Sequence, residues 1–222
     1  YGGLGLGALG SAVVLSELGR LPMSFFASVR SAVSIGTRAI LYHGTAEQKS
    51  RWLPAIAAGK AIPCFALTEP NAGSDAAGIQ MTAVRSGDHY ILNGTKQFIT
   101  NGHRADVMVV LAYTDRAKGP RGGMSAFLVE RGTPGLQIGR VQKPMAGSPE
   151  HQCELVFNDC AVPAENLLGE EGRGFYYAME TLDEGRLHIA AVAVGQAEFA
   201  LEQAAEYARN RRAFGRPISD FQ

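Results

Sequence analysis

The sequence predicts an α+β fold in three stretches: helices, then many short strands, then one long helix. Three observations carry this. Apolar residues recur with a helical period from residue 8 to about residue 60. From Ala61 the period shortens and turn dipeptides punctuate it. After Pro163 the helical period returns. The expected domains are an N-terminal helical domain over 1–61, a β domain over 62–167, and the first helix of a C-terminal helical domain over 168–222. The two helical domains are expected to be partial.

The first helix is expected over Ala8 to Leu18, through Leu9, Val13, Val14 and Leu18, with Gly19 as its stop. A second runs from Ser24 to Tyr42 through Phe25, Val29, Val33 and Ile40, and Gly44 ends it. Thr45 and Gln48 have the spacing of a capping box for a third, carrying Trp52, Ile56 and Ala57 and closed by Gly59. Strands are expected at Ile62–Thr68, Met81–Arg85, His89–Leu92, Gln97–Thr100, Val107–Tyr113, Met124–Val129 and Cys153–Phe157. Ser86-Gly87-Asp88, Asn93-Gly94, Asn101-Gly102 and Gly119-Pro120 supply the turns. Many short strands with such turns predict a closed or sandwiched antiparallel sheet. The last helix runs from about Phe175 to Arg209. That length suits a bundle member, whose apolar faces need partner helices from further sequence or another subunit.

Composition narrows the function. The 222 residues are 46% hydrophobic and 19% charged, enough for a packed core. A net charge of +0 argues against a general nucleic-acid or membrane-surface binder. No apolar run reaches transmembrane length, so no membrane insertion is expected. Cys64, Cys153 and Cys160 are scattered, which favours buried, reduced thiols. No metal site is expected: His43, His89, His103, His151 and His188 form neither a metal pattern nor a triad. The start, Tyr1-Gly2-Gly3-Leu4-Gly5-Leu6-Gly7, has no charged n-region and no initiator Met, so the chain is expected to come from the middle of a longer protein.

Four segments could carry chemistry. Ala66-Leu67-Thr68-Glu69-Pro70-Asn71-Ala72-Gly73-Ser74-Asp75-Ala76-Ala77-Gly78 follows an apolar strand with small residues, hydroxyls and free backbone N–H groups. Small residues admit a ligand close to the main chain, and the turn at Gly73 suits an anion. Gly94-Thr95-Lys96-Gln97-Phe98-Ile99-Thr100-Asn101-Gly102, taken alone, is a strand ending in an Asn-Gly turn with Phe98 in the core. In Leu182-Asp183-Glu184-Gly185-Arg186-Leu187, Asp183 and Arg186 share a helical face. An exposed ion pair there contributes at most about 1 kcal/mol. Arg211-Arg212-Ala213-Phe214-Gly215-Arg216-Pro217, before Phe221-Gln222, is basic, yet the neutral chain and the Phe-Gly insertion argue against nucleic acid.

Taken together, these segments resemble the acyl-CoA dehydrogenase family. The first matches its Thr-Glu…Gly-Ser-Asp signature and the second its aromatic-Ile-Thr-Asn segment. The fourth matches its Arg-x-x-Phe-Gly segment. The resemblance spans nearly the whole chain. One departure is Met145-Ala146-Gly147-Ser148-Pro149-Glu150-His151, where the family commonly has Gly-x-Arg-x-Ser. It implies an FAD site in which Phe65, Leu67, Thr68, Gly73 and Ser74 meet Phe98, Ile99 and Thr100. Phe98 would lie against the flavin and Thr100 would bond the ring edge. Arg211, Phe214 and Gln222 would clamp the FAD of a neighbouring subunit, with Arg211 on the pyrophosphate. Ser74, Tyr176, Asp183 and Arg186 would line the acyl-CoA channel.

The implied activity is FAD-dependent α,β-dehydrogenation of an acyl-CoA thioester to the trans-2-enoyl-CoA, with electrons passed to an electron-transfer flavoprotein. An acyl-CoA oxidase or flavin monooxygenase on the same fold, and an inactive assembly or scaffold relative, are the alternatives. No catalytic residue is expected in this segment. The position before Arg186 used by some members is Gly185, and Glu184 points about 100° away on a helix. The base is expected beyond Gln222. The resemblance also implies a homodimer or homotetramer, in the cytoplasm if bacterial and the mitochondrial matrix if eukaryotic.

Overall fold

Among the described residues, three helices precede the first strand, and their ends follow from local chemistry. The computed structural model describes residues 1–21, 35–143, 145 and 151–222. Helix α1 spans Ala8–Gly19, α2 Ile35–His43 and α3 Ala46–Ala57. The expected second helix is described from Ile35 on, and its start at Ser24 lies outside the described residues. The capping box of α3 is present. The Thr45 hydroxyl accepts the Gln48 N–H at 3.2 Å, and the Gln48 side chain accepts the Thr45 N–H at 3.1 Å. The Gln48 amide also donates to the carbonyls of Glu165 and Leu167, tying α3 to the sheet.

The strands are β1 (Pro63–Ala66), β2 (Thr82–Ser86), β3 (His89–Thr100), β4 (Val107–Tyr113), β5 (Met124–Glu130), β6 (Leu136–Gln142) and β7 (Gln152–Pro163). They form one sheet in the order β1-β4-β2-β3-β7-β6, with β5 also on β4. The pairing is not wholly antiparallel. β1 runs parallel to β4, and one parallel pair, Thr82 with Tyr113, joins β2 to β4. The chain between β1 and β4 is long enough to make the crossover that a parallel pair needs.

Burial explains why the sheet folds over on itself. β4 is buried at every position, and its residues alternate between two cores. Met108, Val110 and Ala112 face Leu92, Leu155 and Val162 of β3 and β7, a core made without helices. Val107, Val109 and Leu111 face Ile40 of α2 and Leu53 and Ile56 of α3. Strand β6 is absent from the sequence reading because it is largely exposed and interrupted by Gly139. β3 is one strand where two were expected. Gly94 looks like a turn residue, but it sits inside the strand at φ 148°, under the Met81 side chain, where a Cβ would come within 2.9 Å. Cys64, Cys153 and Cys160 are free and buried, and burial raises the Cys153 and Cys160 thiols to about 11 and Cys64 further.

A one-turn helix, α4 (Pro120–Gly123), precedes β5. The long helix, α5, spans Gly174–Asn210. A hairpin follows, β8 (Arg212–Ala213) and β9 (Arg216–Pro217), turned by Phe214 and Gly215, both at positive φ. The described residues divide into two compact units. Residues 1–4 and 35–185 form the sheet unit; 5–21 and 186–222 form the helical unit. Within the helical unit, α1 and α5 approach closely because Gly19 and Gly195 lack side chains: a Cβ on either would overlap the partner helix backbone. Leu15 and Val192 are buried between them. Among the described residues, no helix is long and apolar enough to cross a membrane.

Candidate functional site

The candidate site begins with a break in β3. The ladder to β7 shifts register between Lys96 and Ile99, leaving Gln97 and Phe98 out of it. The Gln97 N–H donates instead to the Thr68 carbonyl at 2.8 Å. Phe98 takes φ +57°, costly for a bulky side chain, and its ring is 53% exposed. Phe98 is therefore not a core residue. The bulge joins the end of β1 to the end of β3, side by side.

A cleft opens there. Phe65, Leu67 and Thr68 line one side and Phe98, Ile99 and Thr100 another. All six were expected at one site from the sequence. Ile35 and Gly36 of α2 and Leu182 of α5 complete it. These three were not foreseen, since plain apolar residues on helices give no signal beyond packing. Among the described residues, neither the Thr68 nor the Thr100 hydroxyl has a hydrogen-bond partner. The cleft thus combines an exposed aromatic ring and apolar walls with two available hydroxyls.

Beneath it lies a buried ion pair that the sequence reading also missed. The Lys96 ammonium donates to Glu69 Oε1 at 2.8 Å and to the Leu67 carbonyl at 3.0 Å. The Lys96 side chain is wholly buried and Glu69 nearly so. Burial lowers the Lys96 pKa to about 8, against the opposing pull of Glu69. The Glu69 carboxylate also accepts the N–H groups of Gln80 and, at 3.0 Å, Met81. One side chain therefore ties together the two ends of the loop 69–80. The Tyr113 hydroxyl donates to Ala77 O at 2.8 Å and the Arg116 guanidinium to Ile79 O at 3.1 Å, pinning its far side. The available signal was a lysine at a core-facing strand position together with a glutamate straight after Thr68.

The other candidates are placed differently. Gly73 and Ser74 are exposed on the 69–80 loop, outside the cleft lining. Tyr176 is exposed on α5, with the Arg173 guanidinium 4.2 Å from its ring centre. Asp183 is exposed next to Leu182 in the chain. Glu184 is held in an ion pair with Arg38 at 2.9 Å and accepts the Tyr42 hydroxyl at 2.7 Å. At Gly185 a Cβ would have room, 3.7 Å from the Ile35 side chain. Arg186, Arg211, Phe214 and Gln222 belong to the helical unit and are exposed there. Phe214, at the hairpin tip, is 96% exposed, and its ring meets Phe221 edge-on. Among the described residues, no group of three or more His, Cys, Asp or Glu could hold a metal ion.

Comparison with known proteins gives three family matches in chain order. Residues 1–60 match the acyl-CoA dehydrogenase N-terminal domain, 64–160 the middle domain and 172–222 the C-terminal domain. The chain is 46% identical over 224 residues to acryloyl-CoA reductase (NADH) of Anaerotignum propionicum, covering 100% of this chain and 56% of that protein. It is 44% identical over 222 residues to a short-chain specific acyl-CoA dehydrogenase of Clostridium acetobutylicum, covering 100% and 58%. A solved structure described as "Electron transferring flavoprotein of Acidaminococcus fermentans: Towards a mechanism of flavin-based electron bifurcation" matches with TM-score 0.95 and 48% identity, over 100% of this chain and 58% of that one. The chain spans a little over half the length of the relatives it matches.

Proposed function

The chain belongs to the acyl-CoA dehydrogenase family, and we propose that the whole protein is an FAD-dependent dehydrogenase of acyl-CoA thioesters that forms the trans-2-enoyl-CoA. One observation carries the cofactor assignment: Thr68 and Thr100, whose hydroxyls have no hydrogen-bond partner among the described residues, line the same cleft as the exposed Phe98. Apolar walls with hydroxyls among them fit a flat heteroaromatic ring with a polar edge. Thr68 and Thr100 would donate to that edge, Phe98 would stack, and Phe65, Leu67 and Ile99 would exclude water. Bound there, the flavin supplies the hydride acceptor.

The remaining roles are assigned to this chain's own residues. Gly73 and Ser74 present backbone and hydroxyl groups on the 69–80 loop. Ser74, Tyr176, Asp183 and Arg186 serve the acyl-CoA arm. Arg211, with its planar fork, clamps phosphate oxygens, aided by Phe214 and Gln222, from a neighbouring subunit of a homodimer or homotetramer. Glu184 is not the α-proton base, because Arg38 and Tyr42 hold its carboxylate. Gly185 has no side chain to offer, and our reading keeps the base in sequence beyond Gln222; the relatives are longer than this chain.

The names of the relatives support a short acyl group, and the electron-transferring flavoprotein named with the matching structure supports that class of electron acceptor. Anaerobic addition of butyryl-CoA to the full-length protein tests the reading. Loss of the oxidised-flavin absorbance together with formation of crotonyl-CoA is expected. Protein that takes up no FAD, or whose bound flavin is untouched by any short acyl-CoA, would sink it. Rapid oxygen consumption after reduction would convert it to an oxidase. The reductase name of the Anaerotignum relative favours a second possibility, flux in the opposite direction; NADH-driven loss of acryloyl-CoA would select that.

A further inference from the structure

We propose that Lys96 and Glu69 are positioning residues for the cofactor cleft, a staple that holds the Thr68 side of it against the Phe98 bulge without touching the cofactor. The inference rests on the flavin reading above and adds two residues to which that reading gives no role. Its basis is connectivity. Lys96 binds the carbonyl of Leu67, a cleft residue, and the carboxylate of Glu69 two residues on. The next strand residue, Gln97, binds the carbonyl between them, Thr68. Glu69 then closes the 69–80 loop through the N–H groups of Gln80 and Met81. Three successive residues, 67 to 69, are thus fixed by two, 96 and 97.

No backbone ladder performs this task. Described pairing joins β1 to β4 and β3 to β2 and β7, never β1 to β3. The Lys96 side chain stands in for the missing ladder, reaching from the strand that carries Phe98 and Thr100 to Leu67 and Glu69, just past the end of β1 at Ala66. A charge is suited to this because charge-assisted bonds are short and strong, while leaving either partner alone in this buried site is costly. The bulge depends on the same bonds. Gln97 leaves the β7 ladder to bind Thr68 O, and Phe98 turns outward as a result.

The experiment uses full-length protein and three variants: Lys96→Met, Glu69→Gln and the double Lys96→Met/Glu69→Gln. FAD dissociation constant, melting temperature and, in the apoprotein, amide hydrogen exchange at Gln80 and Met81 are measured. Lys96→Met is expected to lower the melting temperature and to raise the FAD dissociation constant about tenfold, a loss of the size that outer groups commonly cause at a bound site. The double variant no longer buries a lone carboxylate, so its melting temperature should recover. Its FAD affinity should stay low, and Gln80 and Met81 should exchange faster than in wild type. Recovery of both stability and FAD affinity in the double variant would make the pair merely structural and overturn the proposal. Wild-type protein without FAD affinity would instead overturn the functional reading, and the exchange rates would still report whether the pair staples the loop.

Discussion

The sheet unit and the helical unit gather their candidate residues in different ways. In the sheet unit, Phe65, Leu67, Thr68, Phe98, Ile99 and Thr100 converge on one cleft although two separate strands supply them. Backbone bonds and a buried ion pair fix that convergence. In the helical unit, Arg186, Arg211, Phe214 and Gln222 are presented by a helix, a hairpin and a chain end, all exposed. Val194, Leu201 and Tyr207 of the same helix are 55%, 71% and 62% exposed, so its apolar side chains are uncovered as well. A sheet with a bulge builds a pocket from its own bonds, whereas a helix offers side chains to whatever lies against it. Claims about the first region are testable one residue at a time. Those about the second need the surface that covers it.

The largest expected effect separates the units by pH. Burial holds the Lys96 pKa near 8, below its ordinary 10.5. Between those values the unfolded chain binds a proton that the folded chain has lost, so the contribution of this group to stability rises with pH. Below the lower value both states are protonated and this contribution is flat. In denaturant titrations from about pH 7.5 to about 9.5, the buried thiols of Cys64, Cys153 and Cys160, whose pKa burial raises, lower stability as the unfolded chain ionises. The Lys96 contribution should therefore appear as a difference: relative to Lys96→Met, wild type gains stability as pH rises. Burial raises the pKa of Tyr42, Tyr90 and Tyr113, which makes stability fall at higher pH. Lys96→Met lacks this gain and should show only the fall due to the thiols. An unchanged slope in that variant would place the effect elsewhere.

Gly195→Ala probes the helical unit. A Cβ there would overlap the Ser16 backbone, which cannot yield as a side-chain tip can. The expected loss is about 2 kcal/mol, the overpacking cost offsetting the better helix propensity of Ala. Hydrogen exchange should quicken along α1 while the buried amides of β4 keep their protection, because Gly195 and α1 belong to the helical unit and β4 to the sheet unit. Equal loosening of β4 would mean that the units open together.

Legibility followed burial. Val107–Tyr113 was bounded correctly because both faces of β4 are covered and the apolar run is unbroken. β6 escaped because most of its side chains are exposed and its sequence lacks strict alternation. In the candidate cleft, Thr68, Phe98 and Thr100 were expected together through the family resemblance, whereas the segment around Phe98 taken alone reads as a strand with Phe98 in the core. Lys96 and Glu69 lay within the same quoted segments, yet their pairing depends on a bulge that sequence does not announce. Ile35, Gly36 and Leu182 enter only through the packing of α2 and α5 on the sheet.

Arg211→Ala tests whether the two regions serve one cofactor. The proposed phosphate clamp predicts roughly tenfold weaker FAD retention, equivalent to about 1.4 kcal/mol. Thr100→Val, which removes a cleft hydroxyl at nearly constant shape, is the matched change in the sheet unit. Both should weaken FAD binding, but only the Arg211 effect should vanish when riboflavin, which has no phosphate, replaces FAD as the ligand. An Arg211 variant that retains FAD as wild type does would remove the helical unit from the cofactor site.

The smallest effects compare how the two units start their helices. In the sheet unit, α3 has both halves of a capping box, Thr45 and Gln48. Thr45→Ala should cost about 1 kcal/mol, the usual worth of an N-cap hydroxyl. In the helical unit, α1 begins at Gly7, which has no side chain to cap it and sits at φ −69° and ψ 179°, the extended conformation that N-cap residues adopt. A serine fits that backbone without strain and would accept one of the free N–H groups of the first turn. Gly7→Ser should therefore stabilise α1 by only a few tenths of a kcal/mol, since glycine is itself a tolerable cap. The gain should appear as slower amide exchange at the start of α1, with the sheet unit unmoved. If Gly7→Ser instead destabilises the unit, Gly7 is needed for an approach of the chain that a hydroxymethyl group blocks, and the uncapped start of α1 is a requirement of its packing.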